Sequence, residues 1–262
     1  MNFYTVLGLS TEANAAEVKQ AFRRRVKELH PDLQLGRSES DRPPFSIHQV
    51  IEAYEVLSDQ FRREEYDRVR HTAPRVSTFN YREWLQNRPD DESKAKLVFY
   101  DVLRERGAEA VELYLELTRQ RTIDLEQLLG REDFMDCAFM LALEFERQED
   151  EIQAIALYRR IAELEGQKPF FRHFFIEVEE RLLALLVTKT LDLPPADLVL
   201  LLEEVAHLPF RSAAQGLFYA KQAEVYWEAG ERWAARQSLS KAAKLSPRDK
   251  SVARLLMRFA PV

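Results

Sequence analysis

Cysteine is almost absent: Cys137 stands alone among 262 residues. One thiol cannot close an internal disulfide, and no cysteine–histidine cluster surrounds it to build a zinc site. It reads as a small buried apolar residue. Glycine is scarce as well, with 7 against 11 prolines, and Val/Thr-rich alternating runs are few. Those shortages exclude a sheet-based fold, while the abundance of Leu, Ala, Glu and Arg points to an all-α protein. Long apolar runs are missing: stretches such as Leu182–Val187 and Leu198–Leu202 fall far below the roughly 20 residues of a membrane span. A basic surplus is missing too. The 38 basic and 44 acidic residues leave a net charge of −6, spread along the chain, which argues against nucleic-acid binding. The opening "MNFYTVLGLS" has neither the basic nor the apolar region of a secretory leader. The expectation is a soluble cytoplasmic protein with no membrane or nucleic-acid partner, no metal and no cofactor.

What is present is helical periodicity. Phe3, Tyr4 and Leu7 suggest a brief helix stopped by Gly8. Asn14 followed by Glu17 forms an N-terminal capping pattern. Val18, Ala21, Phe22, Val26 and Leu29 then trace one apolar stripe. A polar, proline-containing loop leads to a third helix carrying Ile47, Val50, Ile51, Ala53, Tyr54 and Leu57, and "DQFRREEYDRVR" reads as a short charged fourth. Residues 71–80, with a proline and little periodicity, read as a linker between domains at 1–70 and 81–262. Helices are expected over 81–88, 90–106, 108–120, 131–149, 151–165, 170–190, 195–207, 212–229, 231–245 and 248–259. Breaks fall at Pro89, Gly107, Gly130, Gly166, Pro194, Pro209, Gly230 and Pro247. Helices of this length joined by short turns should stack as antiparallel hairpins.

The second helix is unusual in its charge and in its end. Lys19, Arg23 and Lys27 form an i, i+4, i+8 row beside Arg24 and Arg25, and the helix then runs into His30-Pro31-Asp32. The row alone is most simply a solvated face, yet such a stripe also steers an acidic partner. Pro31 lacks a backbone donor and biases His30 away from helical geometry, so the helix must stop there. Catalysis by His30 is disfavoured, because no nucleophile elbow is present and Asp32 is poorly placed to orient the imidazole. His48, His71, His173 and His207 are scattered and do not converge on a metal. Display is the better account: a loop presenting an imidazole and a carboxylate suited to pairing with an arginine.

Residues 2–67 resemble a DnaJ-type J-domain. "FYTVLGL" is similar to the family's first helix through Tyr4, Leu7 and Gly8. "VKQAFRRRVKELHPD" is similar to its second helix and signature tripeptide through Val18, Lys19, Ala21, Phe22, Arg23, Arg24, His30, Pro31 and Asp32. "IEAYEVLSDQFRREEYD" is similar to helices three and four through Ala53, Tyr54, Val56, Leu57, Asp59, Arg62, Arg63, Tyr66 and Asp67. The resemblance implies a four-helix domain built on a hairpin of helices two and three. Its implied partner is an ATP-loaded DnaK-type heat-shock chaperone, made to hydrolyse ATP and clamp a client. By that resemblance Asp32 pairs with a partner arginine, Lys19, Arg23, Arg24 and Lys27 face an acidic surface, Pro31 fixes the loop and His30 supports its shape. Tyr4, Leu7, Val18, Phe22, Leu29, Ile47, Val50, Tyr54 and Leu57 form the implied core. Two positions depart from the pattern. Arg25 replaces a core leucine, and Leu29 replaces the aromatic before the histidine. Arg25 either lays its stem on the core with its head in water or loosens helices two and three.

Two later stretches resemble tetratricopeptide repeats. One runs through Tyr219, Ala223, Tyr226, Ala235, Leu239, Ala242 and Pro247; the other, less complete, through Ala142, Phe145, Ala154 and Tyr158. An irregular α-hairpin stack of another kind is the competing reading. The aromatic run "PFFRHFF" suits core packing, and Glu177, Glu179, Glu180, Glu203 and Glu204 read as solvated faces. No Gly/Phe-rich segment and no zinc-binding cysteine repeats accompany the J-like part. The expectation is a non-enzymatic co-chaperone whose C-terminal helices recruit a client or partner. The alternative is a repeat scaffold with a degenerate, non-stimulating J-like domain.

Overall fold

Asn14 and Glu17 exchange hydrogen bonds: the Asn14 N–H donates to Glu17 Oε2 at 2.7 Å, and the Glu17 N–H to Asn14 Oδ1 at 3.0 Å. This reciprocal cap satisfies two otherwise orphaned donors and starts the second helix where the sequence placed it. Asn14→Ala should lower the unfolding free energy by about 1 kcal/mol, measured as a shift of the urea midpoint with unchanged slope.

The computed structural model describes residues 2–29, 45, 47–70, 81–104, 106–120, 123–189 and 191–259. Helices dominate them, and no strand occurs among the described residues. The chain divides into two compact units, 1–116 and 117–262.

The first unit opens with α1 (Phe3–Leu7), α2 (Ala15–Leu29), α3 (Ile47–Ser58) and α4 (Gln60–Arg70). Tyr4, Leu7, Val18, Phe22, Val50 and Leu57 are buried, and Tyr54 is half-buried. Phe22 stacks on Tyr54 with ring centroids 4.0 Å apart, locking α2 to α3. Such a pair adds about 1 kcal/mol beyond its buried area. The side chains of Leu29 and Ile47 lie outside the described residues. Asp59 caps α4 by accepting the Arg62 N–H at 2.9 Å.

The same unit continues through α5 (Tyr81–Gln86), α6 (Asp91–Leu103) and α7 (Gly107–Leu115). Asp101 of α6 is buried and holds Arg82 of α5 through two hydrogen bonds of 2.6 and 2.8 Å. Arg104 reaches back to Glu55 of α3 at 3.2 Å. The helix expected over 108–120 leaves α geometry after Leu115, where a π-helical turn runs from Glu116 to Gln120.

The second unit comprises α8 (Leu125–Leu129), α9 (Arg131–Arg147), α10 (Glu151–Gln167), α11 (Phe175–Leu183), α12 (Pro195–Ala206), α13 (Ser212–Glu228), α14 (Arg232–Leu245) and α15 (Lys250–Arg258). Its strongest pairings are the hairpins α9–α10 and α13–α14. Gly166, expected as a break, lies inside the last turn of α10. A Cβ there would sit 3.1 Å from the Pro209 ring, so close packing accounts for the glycine. The helix expected over 170–190 is three pieces: a 3₁₀ turn at Arg172–Phe174, then α11, then a π turn at Ala184–Thr188.

Candidate functional site

The candidate docking surface is built on α2. Its stripe of Val18, Ala21, Phe22 and Val26 is buried, which turns the basic residues outward. Arg24 is exposed, and Lys19 and Arg23 are half-buried. Lys27 belongs to α2, but its side chain lies outside the described residues, as do His30, Pro31 and Asp32 entirely. The structure thus places three of the seven expected docking side chains, all on α2.

Arg25 is held beside the end of α1. It is half-buried, and its Nη2 comes within 3.1 Å of where a Cβ on Gly8 would stand. Gly8 has φ +71° and closes α1 in the left-handed region, so glycine is required there for conformation. The guanidinium sits at the carbonyl end of α1, where a cation is favoured. With Val26 buried and Phe22 stacked on Tyr54, the α2–α3 packing is intact around it.

A polar network ties α1 to α4. The Tyr4 hydroxyl donates to the Asp67 carboxylate at 2.9 Å and accepts from Arg63 Nε at 2.9 Å. Arg63 also donates to the Thr11 carbonyl at 3.0 Å. The Phe3 N–H donates to the Tyr66 hydroxyl at 3.0 Å, and the two rings stack. Burial pushes the Tyr4 phenol up, against the pull of Arg63, so it remains a donor to Asp67. This gives a structural role to Arg63, Tyr66 and Asp67, residues that carried the family resemblance.

In the second unit Ala154, Tyr158, Ala235, Leu239 and Ala242 are buried in the two hairpins, Tyr226 is half-buried and Pro247 is exposed. The Tyr158 hydroxyl donates to Glu146 at 2.6 Å, beside Arg181. From the aromatic run Phe171 is buried and Phe170, Phe174 and Phe175 are half-buried; Phe139 meets Tyr158, Phe171 and Phe174 edge-on, with centroids 4.7–6.2 Å apart.

Glu179 corrects the solvated-face reading. It is buried and accepts the Arg211 N–H at 2.7 Å and Arg211 Nε at 2.6 Å. Glu203 is a hub, accepting from Lys241 and Gln222 at 2.9 Å each. Partial burial pushes its carboxyl up, but those two donors outweigh burial and hold it below the usual range. Sequence reading missed Glu165 altogether. That buried carboxylate accepts the N–H groups of Phe170, Phe171 and Arg172 at 2.8, 2.9 and 2.9 Å. Cys137 is buried, and burial pushes its thiol up. Among the described residues no group of His, Cys, Asp or Glu is arranged to hold a metal, and no helix is long and apolar enough to cross a membrane.

Comparison with known proteins agrees with this geometry. The DnaJ domain family matches residues 2–67. Chaperone protein DnaJ of Hydrogenobacter thermophilus is 37% identical over 86 residues, which is 33% of this chain and 23% of that protein. Chaperone protein DnaJ of Rhodobacter capsulatus is 42% identical over 73 residues, 28% of this chain and 18% of that protein. The DnaJ of Halothermothrix orenii is 32% identical over 85 residues, 32% and 22% of the two chains. The chain therefore spans less than a quarter of the length of these relatives. No solved structure matches it significantly. Residues 2–67 are a DnaJ J-domain, followed by helical hairpins.

Proposed function

We propose that this chain is a co-chaperone: its J-domain binds a DnaK-type heat-shock chaperone in the cytoplasm and stimulates its ATP hydrolysis, while the C-terminal helices recruit a client or partner. The observation that carries the reading is the family match over 2–67, whose matched residues tie α1 to α4 and stack the basic α2 on α3. The J-domain contributes no catalytic group. It acts by contacts made better in the hydrolysis-competent state of its partner, which shifts that partner's equilibrium. Asp32 would pair with a partner arginine, His30 and Pro31 would hold the loop, and Lys19, Arg23, Arg24 and Lys27 would face acidic surface. The placement of Arg25 on Gly8 supports an active domain over a degenerate one, because it leaves α2 and α3 in contact.

Client recruitment falls to the hairpins α9–α10 and α13–α14, which we read as tetratricopeptide-like. The proposed linker, 71–80, lies outside the described residues. Helices α5 to α7 group with the J-domain in the first compact unit, so the recruiting part is assigned to the second.

The test is single-turnover ATP hydrolysis by the cognate DnaK with and without the purified protein. Stimulation is expected; an unchanged rate rejects the proposal. If the α2 row steers docking, the association rate should fall as ionic strength rises from low to physiological, by roughly tenfold. Stopped-flow binding over a salt series measures it, and a flat rate removes the row from the mechanism.

A further inference from the structure

The charge spread expected from the whole sequence does not hold near the C-terminus. Between Arg232 and Arg258 lie eight basic residues and one acid, in a chain of net charge −6. The acid, Asp249, is engaged as the cap of α15, accepting the N–H groups of Ser251 and Val252 at 2.8 and 3.2 Å. Arg236, Lys244, Arg248, Lys250 and Arg254 are exposed, and none forms an ion pair with a carboxylate among the described residues. Three large apolar side chains stand among them: Trp233 is 76% exposed, Leu256 47% and Met257 81%.

This face is held rigidly. Val252, Leu255 and Phe259 are buried, which fixes the charged side of α15 outward. Phe259 stacks on Trp227 of α13 at 4.0 Å, and the Arg232 guanidinium covers that same ring at 3.7 Å. Trp227 is thus consumed by packing, whereas Trp233 is left for something else.

We propose that the outer face of α14 and α15 docks on an anionic phospholipid membrane. Lysine and arginine near an anionic leaflet each contribute attraction, and tryptophan and aliphatic side chains settle at the headgroup–acyl boundary. A nucleic-acid backbone would use the cations but offers no complement to Leu256 and Met257. An acidic protein would have to match five dispersed cations carboxylate by carboxylate, whereas mobile headgroups need no such register. Surface association requires no spanning helix, and the expectation of no membrane partner is revised on this point. The inference is independent of the J-domain reading.

The full chain should sediment with vesicles of equal parts phosphatidylglycerol and phosphatidylcholine at low salt, stay in solution with phosphatidylcholine alone, and be released by added salt. Arg236→Gln, Lys244→Gln and Arg254→Gln together should weaken partitioning about 100-fold, with helicity by circular dichroism unchanged. Lipids brominated near the headgroup should quench fluorescence in the wild type and not in Trp233→Phe, which retains Trp84 and Trp227. No partitioning onto anionic vesicles at low salt overturns the proposal. Partitioning without quenching also overturns it, since another surface then meets the lipid, and tighter binding to polyglutamate or to mixed-sequence duplex DNA overturns it by assigning the face to an acidic protein or to nucleic acid.

Discussion

Asp32→Asn should return the ATP hydrolysis of the partner DnaK to its unassisted rate. The carboxylate is the one group of the His-Pro-Asp segment able to form a charged pair with an arginine, and an amide of the same size keeps the shape while losing the charge. A hydrogen bond to a charged group contributes roughly 1.5–3 kcal/mol, which is about ten- to a hundredfold in a rate or an affinity. His30→Gln should act in the same direction. The α1–α4 network and the Phe22–Tyr54 stack are built from other residues, so thermal stability and far-ultraviolet circular dichroism should match the parent. Full stimulation by both variants would show that the tripeptide is not the trigger and that stimulation comes from another part of the chain.

The largest stability effect is expected at Glu165. Its carboxylate is the shared acceptor for three consecutive backbone donors, on Phe170, Phe171 and Arg172. The bonds hold the turn that leads Phe171 and Phe174 against Phe139. Glu165→Ala strands donors in a segment where Phe171 is buried, and each stranded donor costs roughly 1–3 kcal/mol. A loss of about 3 kcal/mol or more in unfolding free energy should follow, read by urea denaturation. Glu165→Gln keeps one carbonyl oxygen but turns an amide N–H₂ toward the remaining donors, so it should fall between the two. Equal stability of all three proteins would mean that water replaces the carboxylate and that the turn stands without it.

These two residues also mark what the sequence could and could not disclose. Asn14 and Glu17 were legible because a capping box is local: both partners lie within four residues. The α2 and α3 stripes were legible from their 3.6-residue period, and the J-domain from several segments in order. Glu165 was not, because its partners are backbone groups of an irregular turn, and backbone groups carry no letter. Its grip on those donors is also the reason α11 starts at Phe175, later than periodicity suggests. Glu179 was misread because its neighbours Glu177 and Glu180 favoured a wet face, while its partner Arg211 lies 32 residues away. The five-residue α8 was missed since so short a helix completes too few turns to show a period. The basic stretch from Arg232 to Arg258 was in plain view, but adding charge over the whole C-terminal part erased it.

Arg104 ties the third helix of the J-domain to the helices that follow it. Its guanidinium meets Glu55, a carboxylate that burial pushes up even with this cation beside it. A fragment cut after α4 would bare that spot and leave Glu55 without its hydrogen-bonded cation, with Arg62 as the remaining positive charge acting on it. Anyone grafting this module onto another protein should therefore carry it through residue 116, because its third helix is finished by a residue that the family's boundary leaves behind.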